Sequence, residues 1–309
     1  MPTIRPMTPV DRHAVAALIH ASTNHWYAAH AGPTIFAGPD VTSIFFDTYA
    51  DLDDPAGRCP LGFIAEDDGR LAGSCFYHPR ETHVSLGIMN VDPASFGHGI
   101  ARRLLAAIVD VADRARLPLR LVSSAMNLDS FSLYSRAGFV PGQAFQDMLL
   151  PVPDGGLPFA VEGAQRVRDA RPHDISAIAA LEQELTGLRR EQDYRYFVAN
   201  ARGIWHLSVH EGPAGRIDGF CASCAHAGCN MVGPGAARTD EAMIPLLHAQ
   251  YSRHPGRTPV CLVPMDRPAL VHQMYAWGAR NCEIHFAQCR GPNAPVRGVF
   301  MPTFLPESA

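Results

Sequence analysis

The chain contains no lysine: all 26 of its basic residues are arginine. Biased genome composition is the plain reading, and no function is drawn from it. Basic runs are absent as well, and with a net charge of −4 and a pI near 6.4 nothing offers the cationic patch that a phosphate backbone requires. Nucleic acid is therefore not an expected partner. No stretch of about 18 apolar residues occurs, which weighs against a membrane span. The segment Met1 to Val10 lacks the basic region and apolar core of a leader, so a cytoplasmic location is expected. Cysteine is sparse, eight in 309 residues, too dilute for a disulfide scaffold. One group, Cys221, Cys224, His226 and Cys229, has a spacing like that of metal ligands. However, Cys221 and Cys224 fall in or beside a strand, and Cys75 holds the corresponding place in the first half without a cluster. Small buried side chains are the expectation there, and no metal is expected.

Apolar material, in contrast, is plentiful. Hydrophobic residues make up 47% and charged residues 18%, enough for two cores, and the length exceeds the usual single domain.

The stretch from Gly87 to Phe139 carries the chemistry. Val84 to Val91 is an apolar run with strand character, and from Ile100 the positions Ile100, Leu104, Ile108 and Val111 recur at helical spacing. Gly97-His98-Gly99 thus sits where a helix begins. The first turn of a helix presents N–H groups without intrahelical partners at the positive end of the dipole. Glycine permits positive φ and close approach, so residues Phe96 to Ala101 read as a cradle for a pyrophosphate, or else as an ordinary tight turn. A second strand, Leu117 to Ser123, follows the helix, and after it come Asn127, Tyr134 and Gly138-Phe139.

This order of strand, glycine turn, helix, strand, Asn and Tyr resembles the GNAT family of acyl-coenzyme A transferases. The family's turn carries Arg or Gln, two variable residues, Gly, a variable residue, and Gly or Ala. Here the same register reads Phe96-Gly97-His98-Gly99-Ile100-Ala101, with Phe96 where Arg or Gln is usual. The resemblance implies an α/β (α+β) fold whose mixed, mostly antiparallel central sheet is flanked by helices. It implies acetyl-coenzyme A as cosubstrate, bound by the turn residues, by the fourth strand through Met89, Asn90 and Val91, and by Asn127. It also implies that Tyr134 is the acid for the departing thiolate.

Taken in order, Thr3 to Met7 reads as a first strand, and Asp11 as the cap of a helix through Val15, Leu18 and Ile19. Residues 22 to 54 hold Trp26, Tyr27, Phe36, Phe45, Phe46 and Tyr49, which read as core aromatics or, as the resemblance implies for this region, as walls of an acceptor pocket. Asp67-Asp68-Gly69-Arg70 joins two β-type runs as a hairpin. Phe145 to Leu150 closes the first unit, and Pro151 to Pro158 reads as a linker. Beyond it the start of the chain returns. Arg5 and Arg168, Pro9 and Pro172, Asp11 and Asp174, and Leu18 and Leu181 all match at a constant offset of 163. Gly69-Arg-Leu-Ala-Gly-Ser-Cys75 is likewise echoed by Gly215-Arg-Ile-Asp-Gly-Phe-Cys221. A repeat of this length implies a duplicated domain. The expected organisation is a catalytic domain over 1–150, a linker over 151–163 and a degenerate GNAT-like domain over 164–309.

In the second copy, Gly233-Pro234-Gly235 and the residues to Asp240 read as the counterpart of the glycine turn, with Pro234 removing one donor. An Asn is missing at its expected distance. Tyr275 and Gly278, in a Tyr-x-x-Gly spacing, read as what is left of the Tyr134 segment.

Direct transfer of an acyl group from a thioester to an amine needs a held donor, a neutral nucleophile, a polarised carbonyl and a protonated sulfur. It needs no covalent enzyme intermediate, so the lack of an evident Ser-His-Asp or Cys-His arrangement is no obstacle. Glu81, His83 and Glu66 are the candidates for a base, with Glu81 and His83 leading directly into the fourth strand. The expected partners are acetyl-coenzyme A and an amine of a small molecule or peptide, with a homodimer left open. The rival reading is a non-catalytic acyl-coenzyme A sensor, or transfer of another acyl group. Retention of both Asn127 and Tyr134 favours catalysis.

Overall fold

The structure, a computed structural model, describes residues 2–30, 32, 34–54 and 59–307. It divides into two compact units. The first holds the N-terminal stretch to Pro79, Val84–Leu119 and Phe304–Glu307; the second holds Arg80–His83 and Arg120–Thr303.

In the first unit β1 (Thr3–Pro6), β2 (Gly62–Asp67), β3 (Arg70–Pro79) and β4 (Val84–Val91) pair in that order, each antiparallel to the next. The β2–β3 turn forms as expected. Asp68 and Gly69 take φ of 47° and 73°, the left-handed pair that a tight hairpin of native twist demands. Three helices flank the strands, α1 (Arg12–His30), α2 (Pro39–Asp53) and α3 (Ile100–Ala115). Gly73 explains how α3 lies so near β3: a Cβ there would stand 2.7 Å from Ile100 and 3.0 Å from Leu104. The next residue, Ser74, pairs with Asn90, whose amide donates to Thr23 of α1 at 3.3 Å. Neighbouring residues of a strand face opposite ways, so α1 and α3 cover opposite faces. Phe45, Phe46 and Tyr49 of α2 are buried, and they are core residues of this unit.

The expected cap of the first helix is corrected. Asp11 ends a 3₁₀ turn that begins at Pro9, and its Oδ2 accepts from the N–H and hydroxyl of Thr8 at 2.8 and 2.7 Å. Because a 3₁₀ turn precedes the α-helix, Thr8 takes the capping place and Asp11 answers it from three residues on. Arg5 binds both oxygens of Asp11 at 2.8 Å and reaches Glu66 of β2, clamping strand, helix entry and neighbouring strand together.

The second unit is built on β5 (Leu119–Ser124, from Arg120 onward), α4 (Leu128–Arg136), β6 (Val140–Leu149), β7 (Val167–Asp169), α5 (Ile175–Thr186) and α6 (Glu191–Ala199). It continues with β8 (Trp205–Glu211), β9 (Ile217–His226), β10 (Cys229–Ala237), α7 (Asp240–Tyr251), β11 (Val260–Pro264), α8 (Pro268–Ala276), β12 (Arg280–Arg290) and β13 (Val299–Met301). Strand order is β5-β12-β6-β11-β10-β9-β8-β7, with β13 on β10. Only β10 and β11 are parallel among the registered pairs of this unit. The sheet architecture is thus mixed and mostly antiparallel, flanked by helices, in two tandem copies.

Two features of this unit concern the duplication. The clamp recurs, with its arginine and aspartate at the same offset and its glutamate at a shorter one: Arg168 binds Asp174 at 2.7 and 3.0 Å and Glu211 at 2.6 Å. The closing strands are exchanged, since β6 of the first copy lies between β12 and β11, and β12 of the second lies between β5 and β6. The segment read as a linker starts inside the second unit's core, where Val152 is buried with Leu150, Met148 and Leu246.

Candidate active site

The glycine turn and the fourth strand belong to the first unit. Gly97 and Gly99 have φ of 83° and 73°, a left-handed region where an L side chain is strained. A Cβ on Gly97 would meet nothing within 4 Å, and one on Gly99 only the guanidinium of Arg102 at 3.6 Å. The space beside both glycines is open. Gly99 is the N-cap of α3 and supplies no side-chain cap, and the first helical bond runs from the Arg103 N–H to the Gly99 carbonyl at 3.1 Å. The preceding N–H groups therefore stand at an uncapped helix end with the positive dipole behind them. This geometry fits a pyrophosphate.

Phe96 is exposed, with its ring edge-on to His25 at 6.0 Å. It offers no charge where the family pattern has Arg or Gln. Arg102 places a cation over Gly99, and sequence reading missed it. The available signal was its position, three residues past the second glycine on the first helical turn. His98 is exposed, Ala101 is half-buried, and Ile100 is buried, anchoring the turn to β3.

On β4 the pairing is interrupted. Cys75 pairs with Met89 but Tyr77 pairs with Leu86, so Gly87 and Ile88 stand against Phe76 alone. This bulge bends the strand and breaks the ladder just ahead of Met89, Asn90 and Val91. Met89 and Val91 are half-buried, whereas Asn90 is buried with its amide on Thr23.

The remaining candidates belong to the second unit. Asn127 caps α4, its Oδ1 accepting from the Ser130 N–H at 3.1 Å. That is an ordering role for the loop. Tyr134 is the seventh residue of α4, in its last turn, and it is buried against Phe139 with ring centroids 5.8 Å apart. Glu81 is exposed and accepts the Glu191 N–H at 3.1 Å, while His83 is fully buried with Nδ1 3.2 Å from the Thr82 hydroxyl.

The second copy differs from expectation at two points. Gly233-Pro234-Gly235 is no turn: it lies inside β10, where the register with β9 shifts between Val232 and Gly235. A proline cannot donate to a ladder, and the irregularity accommodates it. The chain then enters α7 through Thr239, whose hydroxyl accepts from the Ala242 N–H at 3.3 Å, followed by Asp240 and Glu241 in the first turn. The counterpart of Tyr134 is likewise not Tyr275. Both helices end in a left-handed glycine, Gly138 and Gly278, and the bond Phe139 N–H to Tyr134 carbonyl matches Ala279 N–H to Met274 carbonyl. Tyr134 stands four residues before its glycine, so Met274 takes its place. Tyr275 points elsewhere, with its hydroxyl on Gln146 at 2.8 Å.

Cys221 is in the core of the second unit, and Cys224, three residues along the same strand, faces the other way. Among the described residues, the cluster with metal-ligand proximity is a different one, Asp147, Glu283 and His285.

Residues 24–139 match the family model described as acetyltransferase (GNAT) family. Over those residues, in its first copy, the chain carries a domain of this family. Solved structures of similar fold extend over nearly its whole length. They include a provisionally assigned acetyltransferase of Pyrococcus horikoshii, with TM-score 0.70, 14% identity, and coverage of 98% of this chain and 92% of that one. A GCN5-related N-acetyltransferase of Sphaerobacter thermophilus aligns with TM-score 0.62 and 19% identity over 96% and 98%. A tandem GNAT protein from the clavulanic acid biosynthesis pathway aligns with TM-score 0.58 and 16% identity over 95% and 100%. At these identities the likeness concerns the fold. No curated protein matches the chain. No helix among the described residues is long and apolar enough to cross a membrane.

Proposed function

We propose that this GNAT protein transfers an acetyl group from acetyl-coenzyme A to a primary amine of a small molecule or peptide, using one coenzyme site, in the first copy. The carrying observation is the uncapped N-terminus of α3, where two left-handed glycines leave open space and Arg102 adds a cation. The pyrophosphate binds there. The pantetheine arm pairs with the backbone from Met89 to Val91, which lies just past the bulge and stays in register with Cys75 to Gly73 of β3.

In the reaction the amine nitrogen forms a bond to the thioester carbon while the carbon–sulfur bond breaks. An N–H of the Met89 to Val91 segment stabilises the negative charge that develops on the carbonyl oxygen. A base takes one proton from the acceptor's ammonium before the neutral amine attacks, Tyr134 gives its phenolic proton to the departing thiolate, and the second nitrogen proton, lost as the amide forms, restores the phenol. Glu81 is the base candidate that solvent reaches. His83, being enclosed, is the second and acts through water. Asn127 holds the loop ahead of α4 in place.

The test is coenzyme A release from acetyl-coenzyme A against a panel of amines, amino acids, aminoglycosides and peptides. Turnover with an amine supports the reading. Tight binding without turnover on any of them replaces it with an acyl-coenzyme A sensor.

A further inference from the structure

We propose that Asp147, Glu283 and His285 bind a divalent transition-metal ion that fastens the exchanged strands β6 and β12 to each other. The three side chains bring one ligand atom each to within 4.8 Å of one another, and all three are buried. They come from parts of the chain more than 130 residues apart and meet through strand pairing alone. Asp147 is the direct cross-strand partner of Glu283, and His285 lies two residues further along the same regular stretch of register, hence on the same face. Asp147 and His285 already touch, Oδ1 to Nδ1 at 2.9 Å.

The placement of the two carboxylates is what asks for a cation. Like charges directly opposite each other on paired strands are destabilising even at a surface. Here Asp147 is 2% and Glu283 9% exposed, so water screens neither. As ligands, two carboxylates and a neutral imidazole bring two negative charges, which a divalent ion cancels. Two carboxylate oxygens and one imidazole nitrogen suit zinc or manganese, with water or a further group completing the shell. Such an ion has a structural role, since its ligands sit on the two strands that the tandem copies exchange.

The experiment uses the full chain, stripped with a chelator and then dialysed against zinc. The expected result is one zinc per chain by elemental analysis and a melting temperature several degrees above that of the stripped protein. Glu283→Gln keeps the shape and removes one charge; it is expected to lose both the zinc and the shift. Zinc retained at the same stoichiometry by Glu283→Gln would place the ion elsewhere and overturn the proposal. Wild-type protein that keeps no zinc, and melts at the same temperature with or without zinc and manganese, overturns it too. If Glu283→Gln does not fold, the wild-type titration still decides between these results.

Discussion

The two copies of this chain keep the same frame and part company at the places where a coenzyme would be held. Each carries the clamp of arginine, aspartate and glutamate, Arg5–Asp11–Glu66 and Arg168–Asp174–Glu211. Each uses a glycine on its third strand to admit a helix, Gly73 under Leu104 and Gly219 under Leu246. Yet the helix that begins with an open glycine turn in the first copy begins in the second with a threonine cap and two acidic residues. An anion is drawn to the first end and repelled from the other. The phenol of Tyr134 becomes the thioether of Met274, which cannot donate a proton. The frame therefore answers to packing and the differences answer to chemistry, and substitutions can address the two separately.

The largest effect is expected at Tyr134. Tyr134→Phe keeps the ring against Phe139 and removes only the hydroxyl. At saturating acetyl-coenzyme A, turnover with an accepted amine should fall roughly 10²-fold to 10⁴-fold with coenzyme affinity held. Full turnover would take Tyr134 out of the mechanism. The mirror change, Met274→Tyr, should add no activity, because α7 of that copy offers no open turn.

Next comes Gly99→Asp, which adds a charge at the open helix end and a carboxylate beside Arg102. Titration should show acetyl-coenzyme A binding weakened by at least tenfold, about 1.4 kcal/mol, in a protein that still folds. Thr239→Ala, at the corresponding helix end of the second copy, should leave that affinity unchanged. Its effect should be on stability, about 1 kcal/mol for a lost cap, read from a denaturant midpoint.

A smaller effect tests the shared frame. Arg5 holds the Asp11 carboxyl down to about 2, below its usual value near 4. Arg168 holds Asp174 down in the same way. A group with a lowered folded-state pKa stabilises the fold above its unfolded value and loses that contribution as the pH falls through the folded one. Stability should therefore decline between about pH 4 and pH 2, by something on the order of 2 kcal/mol for Asp11. In Arg5→Gln and Arg168→Gln this part of the acid dependence should flatten. Identical acid profiles in wild type and both variants would show that the clamps are not the source.

Much of this was legible in the residues, because the signals were local. The glycine turn, the hairpin at Asp68-Gly69 and the repeat of Arg5 and Asp11 as Arg168 and Asp174 each lie within a few positions. The misreadings have physical causes. Gly233-Pro234-Gly235 has the composition of a turn, but a strand with an irregular register can hold the same residues. Tyr275 drew attention by its type, whereas the helix-ending glycine fixes which residue corresponds to Tyr134. The exchange of β6 and β12 could not be read at all, since pairing between segments far apart leaves no periodicity in either. The Asp147, Glu283 and His285 group, which depends on that pairing, stayed hidden for the same reason.

Calorimetric titration of the full-length chain with acetyl-coenzyme A tests the asymmetry most directly, with Gly99→Asp run in parallel. One site per chain, with its heat lost or strongly shifted in Gly99→Asp, is the predicted result. Two equivalent sites per chain, or one site that Gly99→Asp leaves untouched, would contradict it.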